Sequence, residues 1–248
     1  MIRVVDLHKS FAGQAVLRGV NLELENGKIT TIIGGSGSGK TVLLKHLNAL
    51  LLPDSGSILV DNKDITKLGE KALNNMRQKF GVLFQGAALL DSMTIFDNVA
   101  FPLREKTKLG EQEIKQRVEE RLAQVGLRGM GYKNPAEVSG GMKKRAGLAR
   151  ALVIEPEIIL FDEPTTGLDP LLGKSIHDLI RKMHSNFGFT GVIVSHDIPE
   201  VFRISDRVAM LANGVIAEVG PTEQFVASAN PMVRQFLQGD AEGPLAVL

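Results

Sequence analysis

At 248 residues the chain is long for one domain and short for two, and it can bury a sizeable core unaided. Apolar residues make up 44% and charged residues 23%, and the formal net charge of +1 removes any broad electrostatic case for nucleic acid or acidic lipid as a partner. There is no cysteine, which excludes disulfide frameworks, thiolate catalysis and thiolate metal sites.

The opening Met1-Ile2-Arg3-Val4-Val5-Asp6 places an acid where a signal peptide needs its apolar stretch. No apolar run reaches the roughly 20 residues that span a bilayer. A soluble, cytoplasmic chain is expected, one that meets any membrane through a partner. Short β-type runs at Ile2–Leu7 and Ala15–Leu24 flank Phe11-Ala12-Gly13-Gln14. The run Ile29–Ile33 then meets a glycine-rich turn and a helical pattern at Val42-Leu43-Leu44 and Leu47. Strand, glycine loop, helix is the order that a phosphate-binding unit requires.

From about Thr94 to Ala151 the pattern is mostly helical. One helix spans Glu111–Gln124 and stops at Gly126, and another starts near Ser139, a good N-cap, and runs to about Ile154. Strand runs at Ile158–Phe161, Thr190–Val194 and Val208–Leu211 follow, with a helix over Leu171–Phe187 between the first two. This alternation argues an α/β fold with a mainly parallel sheet covered on both faces. One domain is expected over 1–238, with a helical part at about 94–154 and a frayed tail at 239–248.

Gly34-Gly35-Ser36-Gly37-Ser38-Gly39-Lys40-Thr41 fits G-x-x-x-x-G-K-[ST] without exception. Its glycines let successive N–H groups turn inward at a helix N-terminus, forming an anion nest. Lys40 would reach the β- and γ-phosphates of a nucleotide, and the Thr41 hydroxyl would coordinate Mg²⁺. The apolar run Ile158–Phe161 ends in Asp162-Glu163. This puts two carboxylates at the carboxyl edge of the sheet, where ligands of open α/β sheets bind. Asp162 is expected to hold Mg²⁺ through water, and Glu163 to polarise the attacking water as general base. Gln85 and His196 each follow an apolar strand and are candidates to complete the site. Ser139-Gly140-Gly141 opens a helix and makes a second anion-binding N-terminus, which invites the reading that it faces a nucleotide held by a partner chain.

In this order the motifs resemble those of the ABC ATPase family over nearly the whole chain. Gly34–Thr41, with Val42 behind it, resembles the Walker A loop, and Gln85 the Q-loop. Ser139–Met142 is similar to the signature motif and Ile158–Glu163 to the Walker B strand. Gly167-Leu168-Asp169 resembles the D-loop, His196 the switch histidine and Phe11 the aromatic residue that stacks on adenine. Met142 stands where the family usually has glutamine, and Gly35 where proline is common. The resemblance implies a P-loop NTPase of ABC type with an antiparallel β subdomain and a helical subdomain. It also implies ATP and Mg²⁺ as ligands, with Gln85 joining Thr41 and Asp162 around the metal. Two chains would meet head to tail, each ATP gripped by Walker A of one and the signature serine of the other.

Leu83–Leu90, Phe96–Glu105, Ser139–Met142, Val194–Val201 and Arg234–Leu237 are similar to one branch, the ATPases of Mla/Mce-type phospholipid transport. That branch implies an integral-membrane permease pair, an MCE-domain protein, a possible STAS-domain subunit, phospholipid held by the partners, no nucleic acid, and a peripheral place on the cytoplasmic face of an inner membrane. The alternatives are an ABC ATPase serving another solute and a non-transport ABC ATPase. Lys143-Lys144-Arg145 is expected to form a solvated helix face, and the apolar end of the tail to dock on a partner ATPase.

Overall fold

The computed structural model describes residues 1–245. The chain divides into two compact units, one of residues 1–77 with 190 onward, the other of Gln78–Phe189.

The first unit opens with a long hairpin, β1 (Ile2–Phe11) and β2 (Gln14–Leu24). Burial alternates along both strands, with Ile2, Val4, Leu17, Leu22 and Leu24 inward, as a half-buried sheet demands. Ala12 and Gly13 turn the chain with φ of 47° and 81°, the paired left-handed conformation whose twist suits a two-residue hairpin. β1 therefore continues to Phe11, beyond the expected end at Leu7. β3 (Ile29–Ile33), buried at every residue, runs into α1 (Lys40–Leu47). β4 (Ser55–Val60), β5 (Lys63–Asp64) and α2 (Glu70–Arg77) follow. β2, β1, β4 and β5 pair in that order as an antiparallel sheet, which is the expected β subdomain.

In the second unit, β6 (Phe80–Leu83) pairs in parallel with β7 (Ile158–Asp162). Between them lie α3 (Ile95–Lys106), α4 (Glu111–Gln124) and α5 (Gly140–Leu152). α6 (Pro170–Phe187) follows β7. Side-chain caps start three of these helices: Thr94 accepts from Asp97 N, Ser139 from Met142 N, and Asp169 from Leu171 N and Leu172 N. Gly188, at φ 65°, ends α6 in the left-handed conformation common after a helix.

The chain returns to the first unit with β8 (Thr190–Val194), β9 (Arg207–Ala212), β10 (Val215–Pro221), α7 (Thr222–Val226) and α8 (Pro231–Gln238). β3 lies parallel to both β8 and β9, and β10 closes that edge antiparallel to β9. The tail is held rather than loose as far as Leu245. The buried Gln235 amide donates to Asp240 O and Leu245 O and accepts from Leu245 N at 2.7 Å. Leu245 packs against the cluster of Ile33, Val208, Met210, Phe225 and Val233. The rest of the apolar end expected to dock on a partner, 246–248, lies outside the described residues.

Candidate active site

Each unit carries its own share of the predicted residues. In the first, β3 delivers the chain into the phosphate loop. Gly34 has φ 152°, and a side chain there would collide with the Leu211 carbonyl of β9. Gly39 caps α1 at φ 98°, where a Cβ would come within 2.9 Å of Val16 Cγ1. Glycine is thus required where the loop leaves the strand and where it enters the helix. Gly35, Ser36 and Gly37 are exposed, Ser38, Thr41 and Val42 are half-buried, and Lys40 is buried. Lys40 Nζ curls back over the loop and donates to Gly34 O and Gly35 O at 2.9 Å each. The Ser38 hydroxyl is buried within the loop with no hydrogen-bond partner. An inward cation, an orphaned hydroxyl and a helix N-terminus together fit a phosphate chain.

β8 ends one strand away from β3, with Ile32 paired to Val194, and Ser195 N donates to Ile32 O at 3.3 Å. His196 therefore emerges, exposed, at the same sheet edge as the phosphate loop. Phe11 is exposed at the end of β1, and Lys9 Nζ lies 5.5 Å from its ring centroid.

In the second unit, β7 is buried throughout and ends on Asp162, which is 8% exposed. Glu163 turns the chain at φ 50°, a conformation that a non-glycine residue keeps only where its surroundings fix it. Thr166 supplies two contacts: its N–H donates to Glu163 O at 3.3 Å and its hydroxyl to Glu163 Oε2 at 3.2 Å. Because Leu83 pairs with Phe161, Gln85 leaves β6 at the edge where Asp162 and Glu163 leave β7. Ser139 and Gly140 are exposed at the start of α5, while Gly141 is buried, and a Cβ added to it would lie 3.7 Å from the Leu172 methyl carbons. The Asp169 carboxylate accepts from Leu171 N and Leu172 N, both at 3.0 Å, so here it caps α6. Among the described residues, no cluster of three or more His, Cys, Asp or Glu side chains forms a metal cage. The Thr41 hydroxyl, the Gln85 amide oxygen and the Asp162 carboxylate are hard oxygen donors, the chemical type that Mg²⁺ takes when phosphates and water fill its other positions.

The expected solvated face at Lys143-Lys144-Arg145 does not form. Lys144 is 5% exposed, and its ammonium donates to Gln85 O and to Glu163 O, the latter at 3.2 Å. Burial pushes that ammonium below the ordinary lysine range, and the Glu163 and Asp162 carboxylates oppose the shift. Arg145 donates to Val125 O and Ser175 Oγ. Arg150, also unanticipated, donates to Ala87 O at 2.6 Å and Ala88 O at 2.7 Å. The legible signal was periodicity: Lys144 falls three and four residues before Gly147 and Leu148, on the face of α5 that meets the core.

A family described as "ABC transporter" matches residues 17–166. The chain is 42% identical over 245 residues to the intermembrane phospholipid transport system ATP-binding protein MlaF of Haemophilus influenzae, covering 99% of this chain and 93% of that protein. Escherichia coli MlaF is 41% identical at 99% and 91% coverage. A Mycobacterium tuberculosis protein named as a probable ribonucleotide transport ATP-binding protein, mkl, is 46% identical, with 99% of this chain and 68% of that protein covered. Among solved structures, a dimeric ATP-binding cassette in a post-hydrolysis state with ADP and Pi superposes with a TM-score of 0.82 at 31% identity, over 90% of this chain and 99% of that one. With the glycine loop, the Asp162-Glu163 strand end and the Ser139 helix start all in place, the chain belongs to the ABC transporter ATPase family.

Proposed function

We propose that this ATPase drives a transporter that moves phospholipid between membranes. The observation that carries the reading is identity of 41–42% to two proteins named for that transport, spread over 99% of this chain and more than nine-tenths of theirs. The relatives named for ribonucleotide transport are somewhat more similar, at 45–46% identity, but extend well beyond the matched region, at 68–71% coverage. Ribonucleotide transport is therefore the second reading.

The residue roles follow from chemistry. The N–H groups of Gly34–Thr41 and the Lys40 ammonium take the phosphates of ATP, Val42 lines the start of the helix behind them, and Phe11 offers an exposed ring to adenine. Thr41, Gln85 and Asp162 are the residues that would hold Mg²⁺, which would supply neutralisation of charge on the transferring phosphoryl group. Glu163 accepts the proton of the attacking water, and His196 stabilises charge developing on the phosphoryl oxygens. Ser139, Gly140 and Gly141 close the site from a second copy of the chain, beside that copy's Asp169. No helix among the described residues is long and apolar enough to cross a membrane. In this reading the motion passes to the lipid through an integral-membrane permease pair, with an MCE-domain protein beyond the membrane and a STAS-domain subunit beside the ATPase. The same reading has the chain sit peripherally on the cytoplasmic face of an inner membrane.

The test is to tag the full chain in its native host, extract the membranes gently and identify what co-purifies. A multispanning permease with an MCE-domain protein and bound phospholipid is the expected result. A permease retaining nucleotide instead of lipid would favour the second reading, and recovery of ribosomes or DNA without any membrane protein would overturn both.

A further inference from the structure

Lys144 lies on α5, the helix that begins at Ser139, yet its ammonium is spent on backbone carbonyls of two other segments of the same unit. One is Gln85, just past β6; the other is Glu163, just past β7. We infer that Lys144 is a positioning residue for hydrolysis, tying the backbone of the Gln85 turn to the backbone of Glu163 so that the Glu163 carboxylate is held ready for the attacking water. The inference rests on the reading of Glu163 as the general base.

Three observations support the tie. First, the backbone at Glu163 and just past Gln85 is strained and fastened. Glu163 is left-handed at φ 50°, and its carbonyl accepts from Thr166 N and from Lys144. Ala87 and Ala88, two and three residues past Gln85, are left-handed at 61° and 46°. Their carbonyls are taken by Arg150, six residues along α5 from Lys144. Strained backbone of this kind persists only where neighbours over-determine it, and α5 supplies those neighbours with two cations.

Second, the helix approaches the turn closely. A Cβ on Gly147 would lie 2.7 Å from Leu83 Cδ1 and 3.2 Å from Ala87 Cβ, so α5 meets the 83–87 segment at a distance that leaves no room for a side chain.

Third, the donor is of the right kind. A buried ammonium is costly unless its hydrogens are used, and Lys144 uses them on the Gln85 and Glu163 carbonyls, while the Glu163 carboxylate accepts from the Thr166 hydroxyl. Fixing the carbonyl of Glu163 fixes the peptide plane, and with it the direction in which the side chain leaves. A catalytic group displaced by about 1 Å loses on the order of 100-fold in rate. A shift of the Gln85 turn would pull on the same ammonium, so the state of that turn is reported to the base.

The experiment uses the full chain and measures ATPase kcat and KM, equilibrium binding of the fluorescent analogue TNP-ATP, and the thermal unfolding midpoint. The variants are Lys144→Met, Lys144→Gln and Lys144→Arg, with Glu163→Gln as the control. Lys144→Met should lose about 10- to 100-fold in kcat while KM and analogue binding stay within about twofold of the parent. Lys144→Arg, which keeps donors for both carbonyls, should recover most of the rate. Lys144→Gln, with a shorter neutral donor, should fall between them and carries the test if Lys144→Met does not fold. A parental kcat in the Met and Gln variants beside an inactive Glu163→Gln would overturn the positioning role and leave the base assignment standing. Loss of analogue binding in step with kcat would make Lys144 merely structural. Hydrolysis at the parental rate by Glu163→Gln would remove Glu163 as the base, and the inference with it.

Discussion

His46 lies in the last turn of α1, six residues after Lys40, and is fully buried. Its Nδ1 bonds to Val42 O at 2.7 Å, so that nitrogen carries the proton of the neutral ring. Burial holds its pKa below the ordinary value of 6.5, and Lys9 pushes in the same direction, while the Val42 and Leu52 carbonyls and Asp54 push back more weakly. The folded chain therefore prefers the neutral ring, and unfolding takes up a proton below that value. The stability this contributes is complete above about pH 6.5 and is lost as pH falls toward the lowered folded value. Urea unfolding midpoints should drop between about pH 7.5 and about pH 5.5, and the drop should shrink in His46→Leu; equal slopes in the two proteins would exclude His46 as the source. Lys144 was the opposite kind of residue to read. The phosphate loop was legible because its glycines answer a backbone requirement that sequence states outright, as at Gly34 and Gly39. Lys144 stands between two other cations on a helix, the ordinary pattern of a wetted face, and only the carbonyls of Gln85 and Glu163, distant in sequence, give it its place.

Elements with strong caps and long periods were legible from sequence. α4 and α6 run over the expected residues within one position, and α5 starts where Ser139 caps it. The buried parallel strands β3, β7 and β8 were legible as short apolar runs. What was not legible is short or polar. β4 begins Ser-Gly-Ser, α2 buries only Met76, and α7 is a five-residue helix. Such segments take their form from the sheet or helix they pack on rather than from their own period. α5 shows how a contact of this kind is set, through the absence of a side chain at Gly147. Gly147→Val would drive methyl groups into Leu83 and Ala87, and overpacking of a close core contact costs about 1–3 kcal/mol. Guanidinium unfolding should show a lower midpoint with an unchanged slope; a midpoint equal to the parent's would mean that β6 and its turn give way freely.

At the scale of the molecule, one chain holds both a phosphate loop and a second helix start, Ser139-Gly140-Gly141, at which Ser139 and Gly140 are exposed. In the proposed head-to-tail dimer each helix start faces the nucleotide of the other copy; a solved cassette 32% identical to this chain is itself dimeric. The arrangement has a consequence that no single-chain site shares. Take two proteins in a Glu163→Gln background, which slows hydrolysis and so retains ATP, one carrying Lys40→Ala and the other Ser139→Arg. Alone, each forms only dimers in which both sites are damaged, and neither should retain ATP on gel filtration. Mixed, they form dimers in which one site has lost both Lys40 and Ser139 while the other has lost neither. The mixture should therefore retain about one nucleotide per mixed dimer. If Ser139 served the nucleotide of its own chain, every chain in the mixture would still carry a broken site, and mixing would recover nothing.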